Sequence, residues 1–424
     1  MDLNKSARIL MVAWASLLIP LTGRADDRPL GADIDGLLEY ARNNPEYASM
    51  RLEAEAATER VYPAGALPDP MLRMELQNLT NAGSDARPSV FPNKVGSTKY
   101  TIAQPLPLWG KRELRRAVAE ADAEQARGRA AMTWAELAAS IKTAHARYYL
   151  AAQTEQLTGE ILDLLERLEL IAQVRYSNGL APQQDVIRAQ VERTAMRGEL
   201  LTLESERQGL QATLNSLLSR KADAPLGLPE RLRPVPPPAK MVPDTLADRL
   251  RGRNPQLFAE DARIRAAENN RELTYRNRYP DLTVGISPIQ MGWRIAEWEV
   301  MLEINIPLQQ ESRRRQESEA ALMLSAARSR KESAANRLIG ELYENIAGLE
   351  AARRIERLNA TSLLPQAEAT LQAALAGYEN GKIDFATLLD AQRQIRKSRQ
   401  DRLKAQVDAQ TRLAAIERLL GEDL

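Results

Sequence analysis

The chain states one pattern twice. Arg175-Tyr-Ser-Asn-Gly-Leu-Ala-Pro-Gln-Gln-Asp-Val-Ile-Arg-Ala-Gln190 returns as Gly377-Tyr-Glu-Asn-Gly-Lys-Ile-Asp-Phe-Ala-Thr-Leu-Leu-Asp-Ala-Gln392, an offset of 202 residues between Tyr176 and Tyr378. The same offset links Pro105-Leu106 to Pro307-Leu308 and Leu217-Leu218 to Leu419-Leu420. Each copy is then one supersecondary unit, and the fold is built from both.

Composition narrows the class. Among 424 residues there are three Phe and 4% aromatics, and Ala, Leu, Glu, Gln and Arg dominate the long stretches. That is the usage of long exposed helices rather than of a thick globular core. A formal charge of +1 and the lack of a basic stripe interleaved with aromatics give no nucleic-acid footprint.

The first residues read as an address. Lys5 and Arg8 precede the apolar run Ile9 to Ile19, and Gly23-Arg24-Ala25 places small residues before a cut after Ala25. The run is shorter than the roughly 20 residues that a spanning helix needs. The chain has no cysteine, so it offers neither a disulfide, a thiolate site nor a lipid-acceptor thiol. The expectation is a secreted, non-lipidated protein.

Each half then runs in the same order. A helical segment, around Ile34 to Val61 or Thr245 to Arg276, carries Asn44-Pro45 or Asn254-Pro255. Two alternating runs follow. Leu72, Met74 and Leu76 alternate with Arg73, Glu75 and Gln77; Leu282, Val284 and Ile286 alternate with Thr283, Gly285 and Ser287. Trp298, Val300, Leu302, Ile304 and Ile306 alternate with Glu297, Glu299, Glu303 and Asn305, and Thr98 to Gln104 is a weaker fourth run. This period marks strands with one apolar and one polar face.

Two readings fit such strands: a half-buried sheet in a soluble domain, or a membrane barrel with Trp298, Val300, Leu302 and Ile304 toward lipid and glutamates toward water. Run lengths near those of a tilted membrane strand favour the barrel. Four strands do not close around water, and open edges are excluded from a bilayer, so several chains must pool their strands.

Beyond Pro105-Leu-Pro107 and Pro307 come very long helices. No proline lies between Pro107 and Pro182, and about 70 residues at 1.5 Å each make a rod of roughly 100 Å. Leu157, Ile161, Leu164, Leu168 and Ile171 have coiled-coil spacing, and Ala117, Ala121, Ala138 and Ala151 permit close approach. The second rod contains Pro365, where a kink is expected. Both rods end at Asn-Gly, which suits a left-handed C-cap, before a helix returns. Between the copies, seven prolines from Pro225 to Pro243 make a stiff extended strap.

The layout is therefore a signal at 1–25, a first repeat at 26–220, a proline-rich linker at 221–243 and a second repeat at 244–424. The first repeat has strands near 70–79 and 97–105, a long helix near 108–177 and a return helix near 182–219. The second has strands near 281–288 and 294–306, a long helix near 309–378 and a return helix near 384–421.

With the duplicated plan, the Tyr-x-x-Gly turns, Leu67-Pro-Asp-Pro-Met71 and Gln104-Pro-Leu-Pro-Leu-Trp-Gly-Lys-Arg112, nearly the whole chain after the signal resembles the TolC family of outer-membrane efflux ducts. The Pro-Asp-Pro and Trp-Gly-Lys-Arg segments are most similar to its heavy-metal branch. The resemblance implies a mainly α fold with a membrane β-barrel: a homotrimer with twelve strands in the outer membrane and twelve helices forming a periplasmic tunnel. It also implies two partners, a periplasmic adaptor (membrane fusion) protein and an inner-membrane efflux pump.

It further implies roles for residues. Tyr176, Asn178, Gly179 and Leu180, with Tyr378, Asn380, Gly381 and Lys382, stand at the adaptor-docking tips, where simple helix capping is the competing explanation. Asp185 and Tyr378 match a gate contact, and Asp390 matches an aspartate ring; Ile383 and Thr387 depart from the pattern, replacing a gate arginine and a second acidic ring. Asp390 is open to another reading, a solvated charge or an ion pair with Arg188, its counterpart at the 202 offset.

Lys111, Arg112, Arg115 and Arg116 correspond to Arg313, Arg314 and Arg315 at the rod starts. Positive charge there opposes the helix dipole. Contact with outer-membrane lipid headgroups would offset this, as would ordinary ion pairs with Glu113, Glu311 or Glu317.

No enzyme signature is present: His145 is the only histidine, and no triad, zinc motif or phosphate loop surrounds it. Eleven scattered Met suit packing better than copper. The expectation is an exit duct without cofactor, for metals or for drug-type compounds. The alternatives are a periplasmic helical-hairpin adaptor and a diffusive porin, the latter disfavoured by the helix content.

Overall fold

A computed structural model describes residues 30–79 and 88–424. The expected signal and its cleavage at Ala25 lie outside the described residues.

Both copies enter through helices divided by an Asn-Pro pair. In the first copy these are α1 (Ile34–Ala41), α2 (Pro45–Glu59) and α3 (Val61–Gly65); in the second, α6 (Pro243–Arg253) and α7 (Pro255–Arg276). The single helix expected in each copy is thus broken, because proline donates no hydrogen bond and opens a new helix at its first position. Asn44 Oδ1 accepts from the Glu46 and Tyr47 amides at 2.8 and 3.4 Å, and Asn254 Oδ1 accepts from Leu257 at 3.0 Å. The other end of each amide donates to the carbonyl closing a return helix, Leu217 at 2.8 Å and Leu419 at 2.7 Å. One side chain therefore caps two helices in each copy.

The strands form one antiparallel sheet in the order β1 (Met71–Gln77), β2 (Ser97–Leu106), β3 (Asp281–Met291), β4 (Arg294–Asn305). β3 continues past the expected 288, because Ile289 and Gln290 pair with β4 across a bulge. Leu72 faces Ile102, Ile102 faces Ile286 and Ile286 faces Val300, so the apolar positions share one face, and all four are exposed. On the other face Thr101 and Ser287 are buried, with their hydroxyls 2.8 Å apart, and Lys99 Nζ lies 2.5 Å from Glu299. A soluble half-buried sheet has the opposite arrangement. Among the described residues of one chain, β1 and β4 are also both unpaired edges.

The first rod is α4 (Lys111–Ser177), returning as α5 (Gln183–Leu217). The second is α8 (Gln310–Leu358), a π turn (Asn359–Leu363) and α9 (Leu364–Glu379), returning as α10 (Phe385–Leu420). The π turn lies just ahead of Pro365, where a kink is expected. Pro365 gives the Thr361 carbonyl no amide donor, and side chains occupy neighbouring carbonyls: Asn359 Nδ2 donates to Ile355 and Thr361 Oγ1 to Arg357, both at 2.9 Å.

Among the described residues three apolar clusters hold the rods. One joins α6, α8 and α10 around Leu250, Leu342 and Leu419; another joins α1, α4 and α5 around Leu37, Ile141 and Leu214. The distal one corrects the expected seam: Leu157, Ile161, Leu165, Leu168 and Ala172 are buried, whereas Leu164 and Ile171 are only partly so. The seam tilts because α4 packs against both α5 and α10, so its buried stripe is wider than a two-helix seam.

Candidate functional site

The two hairpin tips are built by the same backbone device. Gly179 and Gly381 both adopt φ +70, a conformation that strains other residues. Around them the Leu180 amide donates to Arg175 at 2.8 Å and the Gly179 amide to Tyr176 at 2.9 Å; Lys382 donates to Gly377 at 2.8 Å and Gly381 to Tyr378 at 3.0 Å. These paired bonds are the double closure that ends a helix in a left-handed cap. Asn178 and Asn380 each donate through Nδ2 to the carbonyl four residues back, at 2.8 Å.

What surrounds the tips differs. Tyr176 is 46% exposed and Tyr378 is 2% exposed. Tyr378 donates to Asp185 Oδ2 at 3.3 Å and packs on Phe385 with ring centroids 5.2 Å apart. Burial first, then the Asp185 charge, pushes the phenol up to about 12, so it stays a donor. The two residues that sequence comparison matched to a gate contact are therefore in touch within one chain.

A third member had escaped notice. The Arg175 guanidinium lies over the Tyr378 ring, 5.0 Å from its centroid, and donates to the Glu379 carbonyl at 2.6 Å and to Leu180 at 3.2 Å. An arginine of the first tip thus clasps the second, and Gly377, its counterpart, abuts Ile383, whose Cγ1 would lie 3.3 Å from an added Cβ. The only sequence signal was this departure from the repeat: Arg at 175, Gly at 377.

Asp384 caps α10, accepting from the Thr387 amide at 2.9 Å and hydroxyl at 2.5 Å; those bonds hold its carboxyl below the usual range. Asp390 is 76% exposed through its side chain, and its ion-pair neighbour is Arg393 at 3.7 Å. The ion pair with Arg188 is not formed, which corrects that reading: Arg188 is exposed and acts through space on Asp384. Arg393 itself turns to Glu192 at 2.6 Å and holds that carboxyl below its ordinary range.

The strand-to-helix joints need a larger correction. Lys111, expected at lipid headgroups, is 2% exposed and donates at 2.8 Å to both Asp281 and the Tyr279 carbonyl. Trp109 and Gly110 take φ +65 and +72, Trp109 Nε1 donates to Pro280 at 2.7 Å, and the Leu108 amide reaches Asp281 at 3.2 Å. The sharp turn swings Lys111 inward against β3 instead of outward. Arg112 is half-buried on the Gly65 carbonyl at 3.0 Å, and Arg313 meets Asn277 at 2.5 Å, so both guanidiniums are occupied by backbone. Arg314 is exposed.

His145 is buried, its Nε2 3.2 Å from the Gly31 carbonyl, and desolvation lowers its pKa. Among the described residues no three His, Cys, Asp or Glu side chains converge as metal ligands, and no helix is long and apolar enough to cross a membrane.

Comparison with known proteins completes the picture. The family described as outer membrane efflux protein matches residues 38–220 and 246–422, one stretch in each copy. The cobalt-zinc-cadmium resistance protein CzcC of Cupriavidus metallidurans is 26% identical over 336 residues, 77% of this chain and 78% of that one. Among solved structures, CusC superposes with a TM-score of 0.78 at 17% identity, covering 92% of each chain. The outer membrane protein VceC of Vibrio cholerae gives 0.77 at 17% identity, covering 92% of this chain and 96% of its own.

Proposed function

The chain belongs to the outer membrane efflux protein family, and on that premise we propose that three copies form one exit duct for a periplasmic adaptor and an inner-membrane pump. The observation that carries this reading is the inverted sheet. Its apolar face is exposed, its polar face buries Thr101 and Ser287 while leaving Glu297, Glu299 and Glu303 open to solvent, and among the described residues both edges are unpaired. Such a sheet satisfies its backbone in a bilayer only when copies pair edge to edge, and three copies of four strands give a closed barrel of twelve.

The rods then continue the duct into the periplasm. At their far end the exposed tip residues Tyr176, Asn178, Leu180, Asn380 and Lys382, with the two cap glycines, present the adaptor's docking surface. The Asp185–Tyr378 contact, with Arg175 clasped over it, holds neighbouring helices together and restricts the pore. Asp390, turned to solvent in the single chain, lines the constriction, where three carboxylates would draw in cations. At the bilayer end, Trp298, Val300, Leu302 and Ile304 meet lipid and Arg314 meets headgroups.

The similarity to a cobalt-zinc-cadmium resistance protein supports divalent metal cations as cargo. The test is a deletion strain loaded with zinc, cobalt or cadmium. Intracellular metal should rise on deletion and fall on complementation; accumulation of organic compounds alone would refute metal cargo.

A further inference from the structure

Between the strap and the second rod lies a cleft of about 600 Å³ that the duct reading does not use. Its walls carry Arg231, Arg353, Arg357 and Glu356, and its floor includes Val235 and Pro236. The charges do not cancel. Arg233, also at the wall, is engaged by Glu417 at 2.8 Å, while Glu356 is engaged by Arg402 at 3.3 Å and Gln406 at 3.1 Å. Among the described residues, Arg231, Arg353 and Arg357 have no carboxylate within ion-pair distance.

Arg353 is the most constrained of the three. Its Nη2 donates to the Pro236 carbonyl of the strap, and its Nη1 is buried with no acceptor. Burial lowers its pKa, with only the Glu350 charge acting the other way. A guanidinium held by the backbone, partly shielded from water and without an anion is preorganised for one. The π turn supplies Ala360 and Thr361 to the same wall, so the interruption of the second rod shapes the cleft.

The site is not a product of duplication. At the 202 offset, Arg353 and Arg357 correspond to Ala151 and Glu155, and Glu155 is neutralised by Arg207 at 2.7 Å. Nor is it a headgroup site. Tyr149, on its wall, lies 38 residues beyond Lys111 along α4, which at 1.5 Å per residue is about 57 Å from the sheet. Its volume falls in the range of organic-ligand pockets and offers apolar floor beside the charges, more than an inorganic anion uses.

We propose that this cleft binds a short acidic peptide segment, with Arg231, Arg353 and Arg357 on its carboxylates and the strap's apolar residues against its chain. The proposal does not depend on barrel closure. The probe is a fluorescein-labelled peptide of alternating glutamate and alanine, titrated by anisotropy against the purified full-length protein in detergent at low salt.

Saturable binding is expected, weakened about tenfold or more by Arg353→Gln combined with Arg357→Gln, and further by Arg357→Glu, a charge reversal at an exposed position. Absence of saturable binding would overturn the proposal. So would unchanged affinity in the Arg357→Glu protein eluting at the wild-type position, or displacement by inorganic phosphate at peptide-like concentrations.

Discussion

The two hairpin tips share a backbone and differ in what their side chains do. Both close through an asparagine and a glycine at φ +70, yet one tyrosine is exposed and the other is sealed between Asp185, Phe385 and an arginine borrowed from the first tip. The strand-to-helix joints repeat the lesson. Lys111 is locked on Asp281, whereas its counterpart Arg313 rests on one backbone carbonyl. Duplication has kept the local devices that turn the chain and let the long side chains diverge to join one copy to the other.

The joints give the strongest way to break this comparison. Lys111→Ala should cost on the order of 2 kcal/mol, below the range for a fully buried pair because Asp281 is partly exposed, while Arg313→Ala should cost under about 0.5 kcal/mol. Thermal dissociation of the purified assembly measures both, and equal losses would erase the asymmetry. Next come the shared devices. Asn44→Ala and Asn254→Ala should each cost about 1–2 kcal/mol, since each removes a cap and a bond to a return helix; a large difference between them would count against conserved capping.

Gly179→Ala should cost about 1 kcal/mol through backbone strain alone, and Gly381→Ala at least as much, because its added Cβ would also lie 3.2 Å from Arg175 Nη2. Tyr378→Phe should lose about 1 kcal/mol and Tyr176→Phe almost none. If the clasp restricts the pore, Arg175→Gln should also raise single-channel conductance in planar bilayers.

The last test is a pH signature. The Tyr378 phenol titrates near 12 when folded, against about 10 for a free tyrosine. Its raised pKa means that its stabilising contribution is complete below pH 10 and lost as pH rises toward 12. Ultraviolet titration should therefore show a late phenolate step that disappears in Tyr378→Phe. Ionisation of that residue near 10 would contradict its burial.

Much of the fold was legible because it rests on local chemistry. Alternation placed the strands, Asn-Gly the caps, and Pro365 the break in the second rod. What escaped was set by partners far away in the chain. The seam moved from Leu164 and Ile171 to Leu165 and Ala172 because α10 also presses on α4. Lys111 reads as a surface cation until Asp281 is brought beside it, and Arg175 reads as a helix-end charge until Tyr378 arrives. One reading left open for Asp390, an ion pair with Arg188 at the 202 offset, gives way to Arg393, one helix turn along.

The central claim is that the sheet's exposed apolar face meets lipid while its glutamate face meets water, as pooled strands require. The chain has no cysteine, so single cysteines placed in turn along Glu297 to Glu303 of β4 can be challenged with a membrane-impermeant thiol reagent in reconstituted vesicles. Labelling should alternate, with Glu297, Glu299 and Glu303 reactive and Trp298, Val300 and Leu302 protected and quenched by lipid-borne nitroxide. Uniform labelling along the strand, without lipid quenching at any position, would contradict the account.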